Sequence, residues 1–163
     1  EICACLVGSE MCIRDSYGKP EITDAQVKEA AEVAQATEFI DTKPEKYESP
    51  VSQGGTNVSG GQKQRLSIAR AIAKDPEIFI FDDSFSALDF KTDSQLRKAL
   101  KEYTKDATTV IVAQRISTIL GADQIIVLDD GHMAGIGTHK ELMANCEVYQ
   151  QIARSQLSEE ELA

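Results

Sequence analysis

The segment Asn57-Val58-Ser59-Gly60-Gly61-Gln62-Lys63-Gln64-Arg65 places a hydroxyl and two glycines directly before a helical pattern. Leu66, Ala69, Arg70 and Ala73 share one face of that helix, and Lys74-Asp75-Pro76 ends it. The first N–H groups of a helix have no partner within it, and its N-terminus carries about half a positive charge. With glycines that admit a ligand close to the backbone, such an end seats an anion and suits a phosphate. Alone, Ser59-Gly60-Gly61 is explained equally well as an ordinary helix cap with a glycine turn. The decision falls to its surroundings.

Downstream, Ile78-Phe79-Ile80-Phe81 is an unbroken apolar run, as expected of a strand buried on both faces. It ends in Asp82 and Asp83. A carboxylate there can hold Mg²⁺, which takes oxygen ligands, and a second acid can orient or deprotonate an attacking water. By themselves these acids read as an acidic loop after a strand. Ser86-Ala87-Leu88-Asp89 follows, then a helix over residues 91–102 with Leu96, Ala99 and Leu100 inward. Residues 108–113 form a second buried strand leading into Gln114-Arg115, and residues 124–128 a third. Asp129-Asp130-Gly131 is a turn leading into a short hairpin. Small helices over 140–144 and 147–155 close the pattern. This alternation predicts an α/β layer with a mainly parallel sheet and flanking helices, whose chemistry lies at the carboxyl ends of the strands. Asp82, Asp83 and Gln114 all fall there.

Upstream, Thr23-Asp24-Ala25-Gln26 has the spacing of a capping box. It opens a helix to residue 36 with Val27, Ala30, Ala31 and Ala34 on one side. Residues 41–57, with Pro44, Pro50, Gly54 and Gly55, read as a loop. The first sixteen residues differ in character. Glu10-Met11-Cys12-Ile13-Arg14-Asp15-Ser16 matches one reading frame of the mosaic end of a transposase-based sequencing adapter. Residues 1–16 are therefore expected to be a non-native scar, with native sequence from about Tyr17. The alternative is a genuine short apolar strand over residues 2–7.

Composition narrows the class. Net charge is −10, from 27 acidic and 17 basic residues, which argues against a nucleic-acid or anionic-membrane binder. The run Glu159-Glu160-Glu161 reads as part of a solvated tail over 156–163. Three of the four cysteines crowd the first dozen residues, and no second cluster completes a zinc site or a disulfide framework. A reducing, cytoplasmic setting fits. No apolar run approaches the roughly 20 residues of a membrane-spanning helix. His132 and His139 read as solvated turn histidines, and Arg115 as the partner of a nearby acid.

Taken together and in order, these motifs resemble the ABC ATPase family over residues 17–155. Val58-Ser59-Gly60-Gly61-Gln62 resembles the signature motif, Ile78 to Asp83 Walker B, and Ser86 to Asp89 the D-loop, while Gln114 stands at the switch-histidine position. The run from Gln64 to Ala71 and the Gly-Gly-Thr loop before the signature are most similar to exporter-type domains. The resemblance implies a P-loop NTPase-like fold with the ABC α-helical subdomain, residues 17–75 with the signature, followed by residues 76–155 from Walker B onward. It implies ATP and Mg²⁺ as ligands. It also implies two such domains stacked head to tail, so that Ser59, Gly60, Gly61 and Gln62 face a nucleotide held by the partner. Asp82 would hold Mg²⁺ in this chain's own site, and Asp89 would line the dimer interface. The region of the alanine-rich helix faces the coupling helices of a transmembrane domain in the family, which places the domain at the cytoplasmic face of the cell membrane.

Three departures from the family matter. No Gly-x-x-x-x-Gly-Lys-Ser/Thr occurs, and Gly18-Lys19-Pro20 lacks both the upstream glycine and the hydroxyl. The chain therefore reads as truncated at its N-terminus and inactive by itself. Asp83 stands where the family has a catalytic glutamate, and Gln114 where it has a histidine. Glutamine bonds a phosphate through its amide but carries no charge and shuttles no proton. Both changes weaken one site and leave the signature intact, which points to the degenerate half of a heterodimeric exporter. The alternatives are a non-transport ABC ATPase of the chromosome-maintenance or translation type, and a non-enzymatic fragment that donates only a signature surface.

Overall fold

In a computed structural model of the chain, residues 22–52 and 55–157 are described, together with the backbone of residues 2–5. The chain divides into two compact units, Glu1–Val112 and Ala113–Ala163. The division expected at residue 75 lies inside the first unit. The remainder of the suspected scar and residues 158–163 of the acidic tail lie outside the described residues.

The first unit contains β1 (Ile2–Cys5), α1 (Asp24–Val33), α2 (Thr37–Asp41), a 3₁₀ turn (Lys46–Glu48), α3 (Gly60–Ala73), β2 (Ile78–Asp82), α4 (Phe90–Tyr103) and β3 (Thr108–Val112). The strands form one parallel sheet in the order β1-β2-β3. The strand over residues 2–5, the alternative to the scar reading, is thus present in the backbone, with Ile2 opposite Ile78 and Cys5 opposite Phe81.

Thr23 opens α1 with the expected capping box: its hydroxyl accepts from the Gln26 N–H, and the Gln26 side chain accepts from the Thr23 N–H. The helix stops earlier than expected. Gln35 adopts a left-handed φ of 55°, and the N–H groups of Gln35 and Ala36 turn back to the carbonyls of Glu32 and Ala31. This is the Schellman arrangement that terminates helices, built without glycine. Arg65 fastens it from α3: Nη1 donates to the Gln35 carbonyl at 2.7 Å, and the guanidinium lies 4.9 Å from the Phe39 ring centroid. The chain then re-enters a helix, α2, before the segment that reads as a loop.

Ala30, Ala31 and Ala34 are buried, and their small side chains let α1 pack closely on α3. Phe79 and Phe81 stack with centroids 5.9 Å apart on the helix-covered face of the sheet, in one core with Leu96 and Leu100 of α4. The opposite face departs from expectation. Ile78 and Ile80 are only half-buried, while Val110 and Val112 are 45% and 54% exposed. Alternate side chains of a strand point to opposite faces. Ile111 therefore reaches the helix-covered core, while Val110 and Val112 lie on a face left open among the described residues. The expectation of strands buried on both faces is corrected for β2 and β3.

The second unit contains α5 (Ile116–Ile119), β4 (Ile125–Asp129), β5 (His132–Gly137), α6 (His139–Asn145) and α7 (Glu147–Gln156). The strand expected at residues 124–128 is present as β4. It pairs antiparallel with β5 in a sheet of two. Asp130 (φ 46°) and Gly131 (φ 76°) make the connection, the two left-handed residues that a tight hairpin requires. Ile125, Val127, Leu142 and Tyr149 form the core of this unit. His139 is not a solvated turn residue: it begins α6, and its Nδ1 hydrogen-bonds the Tyr149 hydroxyl at 2.8 Å.

Candidate functional site

Ser59 caps α3 in extended geometry (φ −70°, ψ 164°). Its hydroxyl accepts from the Gln62 N–H at 3.2 Å, and the Gln62 side chain accepts from the Ser59 N–H at 3.0 Å. This is a complete capping box, so Ser59 and Gln62 already satisfy each other within the helix. The Lys63 N–H reaches the Ser59 carbonyl. The N–H groups of Gly60 and Gly61 have no acceptor among the described residues, and these two donors sit at the positive end of a 14-residue helix. Ser59 and Gly60 are exposed. An anion arriving at this point meets free amides rather than a side-chain charge, which is the donor set that phosphate oxygens require.

Asp82 closes β2, and its exposed carboxylate stands at the carboxyl end of the sheet. Asp83, also exposed, adopts a left-handed φ of 47°. Aspartate tolerates this region better than most side chains, but it still needs neighbours that hold it there. Three contacts do so. The Asp83 N–H donates to the Val112 carbonyl at 3.1 Å. Its carbonyl accepts from Gln64 Nε2 and from Ser86 Oγ, both at 3.2 Å. Ser84, almost fully buried, donates to the Asp82 carbonyl.

The segment after Asp83 folds back onto the start of α3. A Cβ added to Gly61 would stand 2.9 Å from the Ala87 carbonyl oxygen, whereas one on Gly60 would find only the Ala87 methyl at 3.7 Å. Gly61 is thus required by a close backbone approach, and Gly60 is not. Asp89 caps α4: its carboxylate accepts from the Thr92 N–H at 3.0 Å. That N–H, then the Thr92 hydroxyl, hold the Asp89 carboxyl below its ordinary value of 3.8.

The first unit therefore brings Ser59, Gly60, Gly61, Gln62, Asp82, Asp83 and Asp89 onto neighbouring segments. Gln114 lies in the second unit and is exposed. Its carbonyl accepts from Gln156 Nε2 at 2.9 Å. Arg115 is exposed and pairs with no acid among the described residues. Sequence reasoning placed Ser86 in the D-loop-like segment without giving it a contact, and missed Gln64 and Gln156. For Ser59 and Gln62 the Ser-x-x-Gln spacing already carried the capping-box signal. Gln64 and Gln156 act over 19 or more residues of chain and leave no local signature.

Whether these residues suit ATP and Mg²⁺ can be judged from the donors present. The two free amides at the α3 N-terminus fit a phosphate. Asp82 fits a cation that takes one or two carboxylates and completes its shell with water and phosphate oxygens. No group of three or more His, Cys, Asp or Glu able to hold a metal ion occurs among the described residues.

A family profile described as "ABC transporter" matches residues 7–86. The chain is 47% identical over 135 residues to an uncharacterized ABC transporter ATP-binding protein of Mycobacterium tuberculosis, an alignment covering 83% of this chain and 23% of that protein. It is equally similar, with the same coverage, to a putative multidrug export ATP-binding/permease protein of Staphylococcus aureus. Among solved structures, a bacterial Atm1-family ABC exporter with ATP bound aligns with a TM-score of 0.89 at 32% identity, covering 97% of this chain and 29% of that one. The chain thus spans about a quarter of the length of the curated relatives it matches.

Proposed function

Because the chain belongs to the ABC transporter family and has the fold of an exporter's P-loop NTPase-like nucleotide-binding domain, we propose that it is the C-terminal part of the ATP-hydrolysing domain of an exporter subunit. In this reading, ATP-driven pairing of two such domains is coupled to substrate export, at the cytoplasmic face of the cell membrane. The observation that carries the reading is the exposed α3 N-terminus, with the free amides of Gly60 and Gly61, packed against the segment that follows Asp82-Asp83.

The Gly60 and Gly61 amides and the Ser59 edge of α3 bind the terminal phosphate of a nucleotide held by the partner domain. They neutralise charge that spreads over its oxygens as it transfers. Asp82 contributes the carboxylate for Mg²⁺ in this chain's own site, and the ion when bound neutralises phosphate charge there. Asp83 is one methylene shorter than glutamate, and a base must approach within about 2.6–3.2 Å of its proton. Gln114 donates an amide hydrogen bond but moves no proton. The own site is therefore degenerate, and the partner in a heterodimer carries the competent one.

In this reading the subunit's transmembrane domain docks beside α1 and α2, where a cavity of about 420 Å³ is lined by Val27, Phe39, Ile40, Tyr47 and Leu66 among others. No described helix is itself long and apolar enough to cross a membrane.

The test is ATP turnover of the full-length protein with and without its partner subunit. Turnover is expected only in the mixed complex. Gly60→Asp, whose Cβ would meet only the Ala87 methyl at 3.7 Å, sets a carboxylate on the phosphate seat and should abolish it. A homodimer that turns over ATP at an ordinary rate would overturn the degenerate-site reading.

A further inference from the structure

Gln64 lies one helical turn beyond the glycines, on their face of α3, and is 4% exposed. A buried amide must be satisfied at both ends, and each end finds a different piece of the same segment. Nε2 donates to the Asp83 carbonyl at 3.2 Å and to Ser86 Oγ at 3.1 Å. Oε1 accepts from the Ala87 N–H at 2.9 Å. Only one orientation of the amide satisfies both ends, since the flipped group would set Oε1 against the Asp83 carbonyl oxygen. Ala87 is gripped twice, by Gln64 at its N–H and by the close approach of Gly61 at its carbonyl. Asp83, the residue held with positive φ, is fixed through its carbonyl by the same side chain.

We propose that Gln64 is a positioning residue that couples the two nucleotide sites. It joins the α3 N-terminus, which serves the partner's nucleotide, to Asp83, which belongs to this chain's own site, so that the two move as one block. This rests on the functional reading above. Within it, Gln64 touches neither nucleotide. Its effect is to hold the Gly60 and Gly61 amides in the position that the transferring phosphate needs. A misplacement of about 1 Å in such a group can cost about 100-fold in rate.

The experiment is steady-state ATP turnover by the full-length transporter with its partner subunit, alongside thermal melting. Gln64→Leu keeps the side-chain volume and removes every hydrogen bond. It should lower kcat by about 10- to 100-fold while KM for ATP stays within about twofold, the pattern of an interaction realised in the transition state. Gln64→Glu keeps the acceptor for the Ala87 N–H but sets a carboxylate oxygen against the Asp83 carbonyl, and should lower kcat at least as far as Gln64→Leu. Wild-type kcat in Gln64→Leu, or a loss that vanishes once rates are corrected for folded fraction, overturns the proposal. Should Gln64→Leu fail to fold, Gln64→Glu decides: reduced kcat at unchanged KM supports the coupling, and wild-type kcat overturns it. A wild-type complex without turnover, or one insensitive to Gly60→Asp, removes the underlying reading and the coupling with it. These controls tell that failure apart from the failure of Gln64 alone.

Discussion

The side-chain amide of Gln156 spans the backbone around Gln114: Nε2 donates to the Gln114 carbonyl at 2.9 Å, and Oε1 accepts from the Ile116 N–H at 2.9 Å. The last residue of α7 thereby fixes the chain on both sides of Arg115 and sets the backbone from which the Gln114 side chain projects. Gln156→Leu leaves both groups without that partner. Gln156 is itself exposed, so water can replace part of what is lost. The expected cost is about 1 kcal/mol, read as a lower denaturation midpoint of the full-length protein. Hydrogen exchange at the Ile116 amide should rise by more than at β4 amides. Unchanged exchange at Ile116 would show that the clamp does not hold in solution.

Gly60 and Gly61 are adjacent in sequence yet make opposite predictions. Alanine at Gly60 meets only a methyl at ordinary contact distance and gains helix propensity, so Gly60→Ala should leave the melting temperature unchanged or slightly raised. Alanine at Gly61 is driven to 2.9 Å from the Ala87 carbonyl oxygen, a backbone atom that cannot move by rotating a side chain. Gly61→Ala should cost about 1–3 kcal/mol, the range for inserting a methyl group into a packed site. Equal melting temperatures for the two variants would mean that α3 and the Ala87 segment do not lie as close as described.

Much of this was legible from local chemistry. Thr23 to Gln26 announced a cap, Pro76 a stop, and Asp130-Gly131 a hairpin, because each acts within four residues of itself. The candidate acids were legible as well, since an apolar run that ends in Asp82-Asp83 fixes where the strand stops. What escaped detection depends on distant partners. Gln35 ends α1 in a left-handed conformation secured from Arg65, thirty residues on, with no glycine to announce it. β3 has the apolar pattern of a covered strand, but only the Ile111 side has helices against it among the described residues. A period-2 pattern gives alternation and cannot say what lies on either face. The grip of Gln64 on Ala87 looks, in sequence, like one more polar residue in a polar stretch.

Acid should loosen two helix starts together. The Thr92 N–H holds the Asp89 carboxyl below its ordinary value, and the Thr138 N–H does the same for Glu141 at the start of α6. A carboxylate whose folded pKa is depressed adds stability that is complete above its unfolded pKa and is lost as pH falls through the folded one. Both contributions are therefore intact at neutral pH and disappear below about pH 4. Asp89→Asn keeps a capping acceptor without a titrating charge. Its melting temperature should change less between about pH 5 and pH 3 than that of wild type, while Asp89→Ala should be destabilised at both. An acid dependence in Asp89→Asn equal to wild type would place the sensitivity elsewhere.

The exposed apolar side chains predict how residues 1–163 behave as a separate polypeptide. In the first unit Val110 and Val112 stand open on the uncovered face of the parallel sheet, and β3 is an edge strand among the described residues. In the second unit Ile126, Leu128, Met133 and Ile136 are all about half exposed or more, on a hairpin that pairs with no third described strand. Two-stranded sheets are marginal in water, and unpaired edges with apolar faces invite association. At about 25 cal/mol per Å², covering faces of this kind would contribute a sizeable share of a typical domain's stability of about 5–15 kcal/mol. The separate polypeptide should therefore bind a hydrophobic dye, melt broadly and associate as its concentration rises. Leu128→Lys together with Met133→Glu, an opposite-charge pair directly across the hairpin, should reduce that association without lowering the melting midpoint, since neither side chain is in a core. A sharp, cooperative melt of monomer at high temperature would show that the described residues already bury enough surface to stand alone.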